Sequence, residues 1–336
     1  MPRVKIALFL PHVGVFGGVR RFLELGNSWT ASGHAVMLFH PGGERPAWLG
    51  FAGEVRKLEA ARHQRSDLAI SADPHTFDAF RRHESARHLY YCVLERDPGF
   101  ALALRDRELL LAANSGPLRR ALAARARRPV LDGIGGIRLE QFHPAPEQRA
   151  DRPLRVLLNG RRSREKKGTD LILASLEAVR RSVPEFETVL FDSLGPGNAQ
   201  DPREGARLPS SARFVINPSQ DQLVRLYQSC HVFVAAERKA GWCNTALEAM
   251  ACGAAVVCTP SGTTDFARDG DNALMVRVRH AWFLSRALRR VLGDPELRAR
   301  LSSRAPLGLE RWSWDRLAEK LLSQLPAEGA AGGAQR

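Results

Sequence analysis

Glu237-Arg-Lys-Ala-Gly-Trp-Cys-Asn-Thr-Ala-Leu-Glu248-Ala-Met-Ala-Cys-Gly253, continued by Ala-Ala-Val-Val-Cys258, decides the reading of this 336-residue chain. A loop of small residues runs into a helix predicted over 245–252, which stops at Gly253. A short apolar strand, 254–258, follows at once. The loop, a helix N-terminus and the Glu248 carboxylate, read as lying in the first turn, are thereby gathered around one small volume. Backbone N–H groups at such a terminus take phosphate oxygens, and a carboxylate takes two adjacent hydroxyls, so the volume suits a nucleotide sugar. Gly241, Trp242, Cys243, Asn244 and Thr245 line the approach as donor-binding candidates beside Glu248. The spacing from Thr245 to Glu248 also fits a capping box. The glycine-containing approach favours the ligand reading, because a capping box needs no such loop.

Outward from this stretch the chain alternates strand-like and helix-like segments. Val4–Leu10 is a strand, and Gly17-Gly18 opens a helix with apolar residues at i, i+3, i+4 spacing, ending near Gly33. Strands follow at 35–39, 68–71, 89–94 and 129–131, with helices near 75–84, 99–112 and 116–126. The polar, Pro-rich run His143–Pro153 reads as a linker. A second series then runs through strands at 154–158, 188–191, 212–216, 232–235 and 254–258 and helices at 170–181, 219–229 and 245–252. This alternation predicts two α/β domains with parallel sheets, whose carboxyl edges face a central ligand cleft. The expected boundaries are 1–145 for the first domain, 146–153 for the linker and 154–311 for the second. The Ala/Gly-rich 326–336 is expected to be disordered.

Hydrophobic content of 44% and charged content of 26% fit a globular protein. The net charge of +14 divides evenly: 22 basic against 15 acidic residues in 1–150, and 28 against 21 thereafter. No basic module stands out, and no nucleic-acid motif accompanies the charge, so nucleic acid is not an expected partner. A diffuse positive field suits anionic substrates or peripheral contact with an anionic membrane face. The five cysteines, odd in number and without a C-x-x-C pair, read as reduced thiols of a cytoplasmic protein. The longest apolar runs fall short of a membrane span or signal peptide.

Other constellations carry paired readings. Gly17-Gly18 is either a plain tight turn or a place where phosphate or sugar approaches the backbone. The run Asn159–Gly168, with Arg161 and Lys167, is either a solvated basic loop or a cationic cradle for a diphosphate leaving group. Its position at the same sheet edge as the Glu248 loop favours the cradle. Asp269-Gly-Asp271 reads as a turn rather than a metal site, and the histidines lack metal-ligand spacing.

Taken together these segments resemble the family-4 retaining glycosyltransferases of GT-B fold. The likeness spans nearly the whole chain. It rests on Phe16-Gly-Gly-Val-Arg, Ala113-Asn-Ser-Gly-Pro, Asp132-Gly-Ile-Gly-Gly-Ile-Arg with Phe142-His-Pro, and Gly160-Arg161 with Lys167-Gly168. Its most specific element is Leu247-Glu-Ala-Met-Ala-Cys-Gly253 with Val256-Val257. Trp312-Ser-Trp-Asp resembles the start of a C-terminal helix (312–325) that crosses back to the first domain. The resemblance implies that Glu248 holds the donor ribose, that Arg161 and Lys167 bind the donor diphosphate, and that backbone around Trp242 and Cys243 faces the sugar. It places Gly17 and Gly18 against phosphates or acceptor. It implies no metal and no cofactor, only a nucleotide-diphosphate sugar as co-substrate, and a small-molecule, lipid-linked or glycan acceptor.

Two departures qualify it. The family pairs two glutamates with seven residues between them, and the first position here is Ala240. Glu237, three residues upstream, is the catalytic candidate that replaces it. A family histidine of the first domain has no counterpart in Tyr90–Asp97, where Glu95 is either an acceptor-side or a surface residue. A non-catalytic nucleotide-sugar-binding relative and a sugar-nucleotide epimerase of the same plan are the rival readings. A nicotinamide dehydrogenase is disfavoured, because the first turn lacks G-x-G-x-x-G spacing.

Overall fold

A computed structural model describes residues 2–94, 98–145, 147, 149, 153–162, 165–195, 201, 203 and 212–326. The chain divides into two compact units, Met1–Gly136 with Arg311–Arg336, and Ile137–Glu310. The sequence reading drew its first boundary after 145. Residues 137–145 instead group with the second unit, where Phe142 packs edge-on against Tyr227 at 6.0 Å and the Gln228 amide donates to the His143 carbonyl at 3.1 Å. Of the linker expected over 146–153 only 147, 149 and 153 are among the described residues, and of the tail expected over 326–336 only 326.

In the first unit, β1 (Lys5–Phe9), β2 (Ala35–His40), β3 (Glu54–Lys57), β4 (Arg65–Ser71), β5 (Glu84–Cys92), β6 (Leu110–Ala113) and β7 (Leu131–Asp132) form a parallel sheet. Its order is β3-β2-β1-β4-β5-β6-β7, so the direction of winding reverses between β1 and β4. Ile6, Leu8 and Leu10 join one buried cluster, while Ala7 and Phe9 join another on the opposite face. The two-residue period of a strand explains both memberships, and helices covering both faces explain why every second residue is not polar. α1 (Gly17–Ala31) and α10 (Trp314–Ser323) cover the first face; α2 (Phe77–Arg82), α3 (Pro98–Arg105) and α4 (Gly116–Ala126) complete the unit.

In the first unit a strand within an expected helix and an edge strand differ from the sequence reading; in the second, α8 (Ala281–Gly293) and α9 (Pro295–Arg304) do. The helix expected over 99–112 ends at Arg105, and 110–113 is the strand β6. Leu109-Leu-Leu-Ala-Ala113 is a short continuous apolar run, which periodicity cannot assign, and pairing with β5 and β7 settles it as strand. β3 escaped notice because an edge strand with exposed Glu54 and Lys57 shows no apolar signal.

The second unit contains β8 (Leu154–Asn159), α5 (Thr169–Val179), β9 (Phe186–Asp192), β10 (Ala212–Ile216), α6 (Gln220–Ser229) and β11 (Val232–Ala235). α7 (Asn244–Ala251), β12 (Ala255–Cys258), β13 (Leu274–Met275), α8 (Ala281–Gly293) and α9 (Pro295–Arg304) follow. The sheet is parallel in the order β10-β9-β8-β11-β12-β13, with its reversal between β8 and β11. Leu154, Val156 and Leu158 pack beneath α5, α8 and α9.

The chain's last helix belongs to the first unit. Trp29 donates its indole N–H to the Ala318 carbonyl at 3.0 Å, and Lys320 pairs with Asp132 at 2.9 Å. The buried Arg21 guanidinium lies over the rings of Tyr91 (5.5 Å) and Trp314 (5.3 Å). Gly136, at φ +124°, leaves room for Trp314: a Cβ there would sit 2.3 Å from the indole. Trp314→Ala is expected to cost about 3–5 kcal/mol, the range for truncating a buried aromatic. A lowered urea midpoint for loss of the first unit's near-ultraviolet circular dichroism would show it; an unchanged midpoint would contradict the packing role.

Candidate functional site

The second sheet reverses between β8 and β11, and loops leave the carboxyl ends of both strands there. That is where ligands of open α/β sheets bind. After β8, Asn159 Oδ1 accepts from the Arg161 N–H at 3.0 Å, and the Thr169 hydroxyl donates to the carbonyls of Asn159 (3.1 Å) and Arg161 (3.0 Å). These bonds fold the basic run back on itself. A 3-10 turn (Glu165–Lys167) ends at Gly168, which caps α5 in the left-handed conformation, φ +75°. The Arg238 N–H donates to the Lys166 carbonyl at 2.7 Å, joining this loop to the one after β11.

Lys167 is thereby delivered to Glu237: Nζ lies 2.7 Å from Oε1, with the side chains 24% and 10% exposed. Burial is the largest single influence and disfavours the lysine's charge, but Glu237 and Cys243 together outweigh it and hold the pKa above the ordinary 10.5; nearby Arg161 opposes weakly. Arg161 points its Nε at Asp192 Oδ1, 3.1 Å away at the end of β9, and donates to the Ser193 carbonyl at 3.1 Å. The Cys243 thiol lies 3.6 Å from both Glu237 Oε1 and the Thr245 hydroxyl. Burial, with Glu237 adding to it, pushes that thiol well above its usual range, so it stays protonated.

Glu248 is buried and accepts from the Tyr227 hydroxyl at 2.9 Å. α7 begins at Asn244, a residue earlier than expected, so Glu248 lies in the second turn and not the first. The capping-box geometry is not formed either, since the helix has no side-chain cap. Trp242 packs edge-on against Phe266 at 5.0 Å, and Gly241 is buried with it. The structure thus brings Lys167, Glu237, Cys243 and Thr245 together, and gives Arg161 and Glu248 partners of their own.

A third loop, after β12, was not singled out in the sequence. Thr259 donates its hydroxyl to the Glu237 carbonyl at 2.7 Å, and Ser261 Oγ accepts from the Ala240 N–H at 2.7 Å. Gly262, at φ +75°, lies against the Cys243 amide, which donates to the Gly262 carbonyl at 2.9 Å. The signal was available: Thr-Pro-Ser-Gly directly follows a strand at the same sheet edge. Arg279 was also missed; it donates to the carbonyls of Ala236 (2.8 Å) and Glu165 (3.0 Å) and so spans both loops.

In the first unit Gly17 and Gly18 are exposed at the start of α1, which has no side-chain cap. Its strand order reverses between β1 and β4, and the loops there carry His12 and Asp73. Burial lowers the His12 pKa more than Asp73 raises it, which favours neutral imidazole at pH 7. Glu95 lies outside the described residues. Asp269–Asp271 is a turn: Asp269 accepts from the Met275 N–H at 2.8 Å and Asp271 pairs with Arg304. Among the described residues no group of three or more His, Cys, Asp or Glu could hold a metal, and no helix is long and apolar enough to cross a membrane.

Two parallel-sheet, Rossmann-like units, each with a polar loop cluster where its strand order reverses, define the GT-B fold. Residues 141–307, nearly all of the second unit, match the family described as Glycosyl transferases group 1. A D-inositol 3-phosphate glycosyltransferase of Streptomyces bingchenggensis is 29% identical over 201 residues, 54% of this chain and 44% of the relative. The chain spans about half the length of such curated relatives. A phosphatidyl-myo-inositol mannosyltransferase of Mycolicibacterium smegmatis is 26% identical, covering 98% of this chain and 95% of the relative. Among solved structures, sucrose-phosphate synthase of Thermosynechococcus elongatus superposes with a TM-score of 0.77 at 18% identity, covering 96% of this chain and 98% of the other. Anabaena HepE, solved with UDP and glucose, gives 0.76 at 14% identity, covering 96% and 100%.

Replacing Glu237 by glutamine removes the main group that opposes burial at Lys167. Glu237→Gln is therefore expected to lower the lysine pKa, as read by NMR titration of isotopically methylated protein. The native pair's stabilisation is full below the ordinary lysine range and is lost only as pH rises through the raised value. An unmoved Lys167 titration in the variant would mean that the two groups are not paired in solution.

Proposed function

We propose that this chain is a retaining glycosyltransferase that moves a sugar from a nucleotide-diphosphate sugar to an acceptor hydroxyl without a metal. The observation that carries this is the Lys167–Glu237 pair, set beside Arg161 at the strand-order reversal of the second sheet. A diphosphate brings more negative charge than one carboxylate and competes for Lys167. Lys167 then faces the leaving group, with Arg161 fixed behind it by Asp192. Such fixed cations act where charge develops, which is the condition for lowering a barrier electrostatically. Glu237, displaced from the lysine, is left beside the sugar to accept from its hydroxyls.

Tyr227 donates to the Glu248 carboxylate and fixes it, and Glu248 is proposed to accept from the ribose hydroxyls. In the transfer the bond from the anomeric carbon to the phosphate oxygen breaks as the acceptor oxygen bonds to that carbon on the same face. The acceptor proton passes to the departing phosphate. Cytoplasmic residence and an acceptor that is a small molecule, lipid-linked or a glycan belong to the same proposal. The inositol-phosphate and phosphatidyl-inositol relatives and the UDP-bound neighbour support its acceptor and donor chemistry.

One observation favours a non-catalytic binder instead: Ala240 stands where the family has its first glutamate, and the lysine is already neutralised by Glu237. Incubation with a panel of nucleotide-diphosphate sugars separates the readings. Donor hydrolysis or transfer is expected, and Lys167→Ala and Glu248→Ala should each lower it by at least ~10-fold, the scale of one lost charged contact. Donor binding without any turnover would favour the binder, and wild-type turnover in both variants would remove the site assignment.

A further inference from the structure

Large exposed hydrophobic side chains scattered singly need no explanation. Here they are not scattered. Of the four among the described residues, Val278 (52% exposed), Trp282 (59%) and Phe283 (41%) fall within six consecutive positions at the entry to α8. Trp282 and Phe283 meet edge-on at 4.8 Å, and Arg286 lies 5.9 Å over the Trp282 ring.

The surrounding charge has one sign. Residues 277–293 contain five arginines, a histidine and no acid. Arg277, Arg286, Arg289 and Arg290 are exposed; on α8, Trp282, Arg286 and Arg289 fall on one stripe at i, i+4, i+7. Three acids of the neighbouring segments are engaged elsewhere. On α5, which packs against α8, Asp170 pairs with Arg162 at 2.6 Å and Glu177 with Arg180 at 3.3 Å. Asp294 caps α9, accepting from the Leu297 N–H at 2.9 Å.

We propose that this aromatic and arginine-rich face of α8 docks the chain on an anionic lipid bilayer. Trp and Phe at the tip of a basic helix face suit the headgroup boundary, where rings insert and arginines meet phosphates. The face is tied to the candidate site, because Arg279 in the segment leading into α8 bonds the Ala236 and Glu165 carbonyls. A docked bilayer would therefore lie beside the loops that carry Glu237 and Lys167. The proposal does not depend on the donor or on catalysis.

The test is co-sedimentation of the full chain with phosphatidylcholine vesicles, with and without phosphatidylglycerol. Binding is expected only to the anionic vesicles and should weaken as salt rises. A Trp282→Ala, Phe283→Ala double variant and an Arg286→Ala, Arg289→Ala, Arg290→Ala triple variant should each bind at least ~10-fold more weakly with unchanged thermal unfolding. No binding by the native chain, or equal binding by the variants, would overturn the proposal. So would a dimer that dissociates in the double variant while vesicles are ignored, since the patch would then be a protein interface.

Discussion

A side chain at position 168 would put its Cβ 2.4 Å from the Ala236 carbonyl oxygen. Contact this close is closed to any residue but glycine, and the left-handed φ of +75° closes it a second time. The loop after β8 can therefore lie directly on the end of β11, and the Arg238–Lys166 backbone bond locks it there. Everything in the candidate site follows from that approach. Lys167 reaches Glu237 because its backbone is already in place, and Arg279 can bridge the two loops because their carbonyls stand side by side. The loop after β12 adds a third support through Thr259, Ser261 and Gly262.

A partly buried ion pair is a poor source of stability, since desolvation of the charges offsets much of the attraction. It is better suited to holding a place. Glu237 keeps Lys167 charged and oriented. In the exchange proposed above, Thr259 would still hold the Glu237 backbone while its side chain leaves. A preorganised cation of this kind needs little rearrangement when charge develops on the ligand.

Much of the architecture is legible in the sequence because parallel strands buried on both faces leave continuous apolar runs, such as 156–158 and 254–258. The same property hides β6, since Leu109–Ala113 carries no period, and polar edge strands such as β3 carry no run at all. The site is legible as a set of loops but not as a set of partners. That Lys167 meets Glu237, Arg161 meets Asp192 and Glu248 meets Tyr227 depends on which strands are neighbours in the sheet. The strand order, β9-β8-β11-β12, is a long-range property with no local sign. The placement of α7 shows the limit: one residue in its start moves Glu248 out of the first turn.

The two units share one topological device and use it with opposite chemistry. Each sheet reverses direction beside its first strand, leaving a crevice at the carboxyl edge. In the second unit that crevice is built from cations kept charged, with Lys167 raised by its acidic neighbour. In the first it holds His12, whose burial favours the neutral form, and an uncapped helix start at Gly17-Gly18. Fixed positive charge suits a ligand whose charge is permanent. Neutral imidazole and exposed backbone donors suit hydroxyls, which need hydrogen-bond partners more than counter-ions. Under the proposed function, this contrast suits phosphates in the second unit and an acceptor hydroxyl in the first.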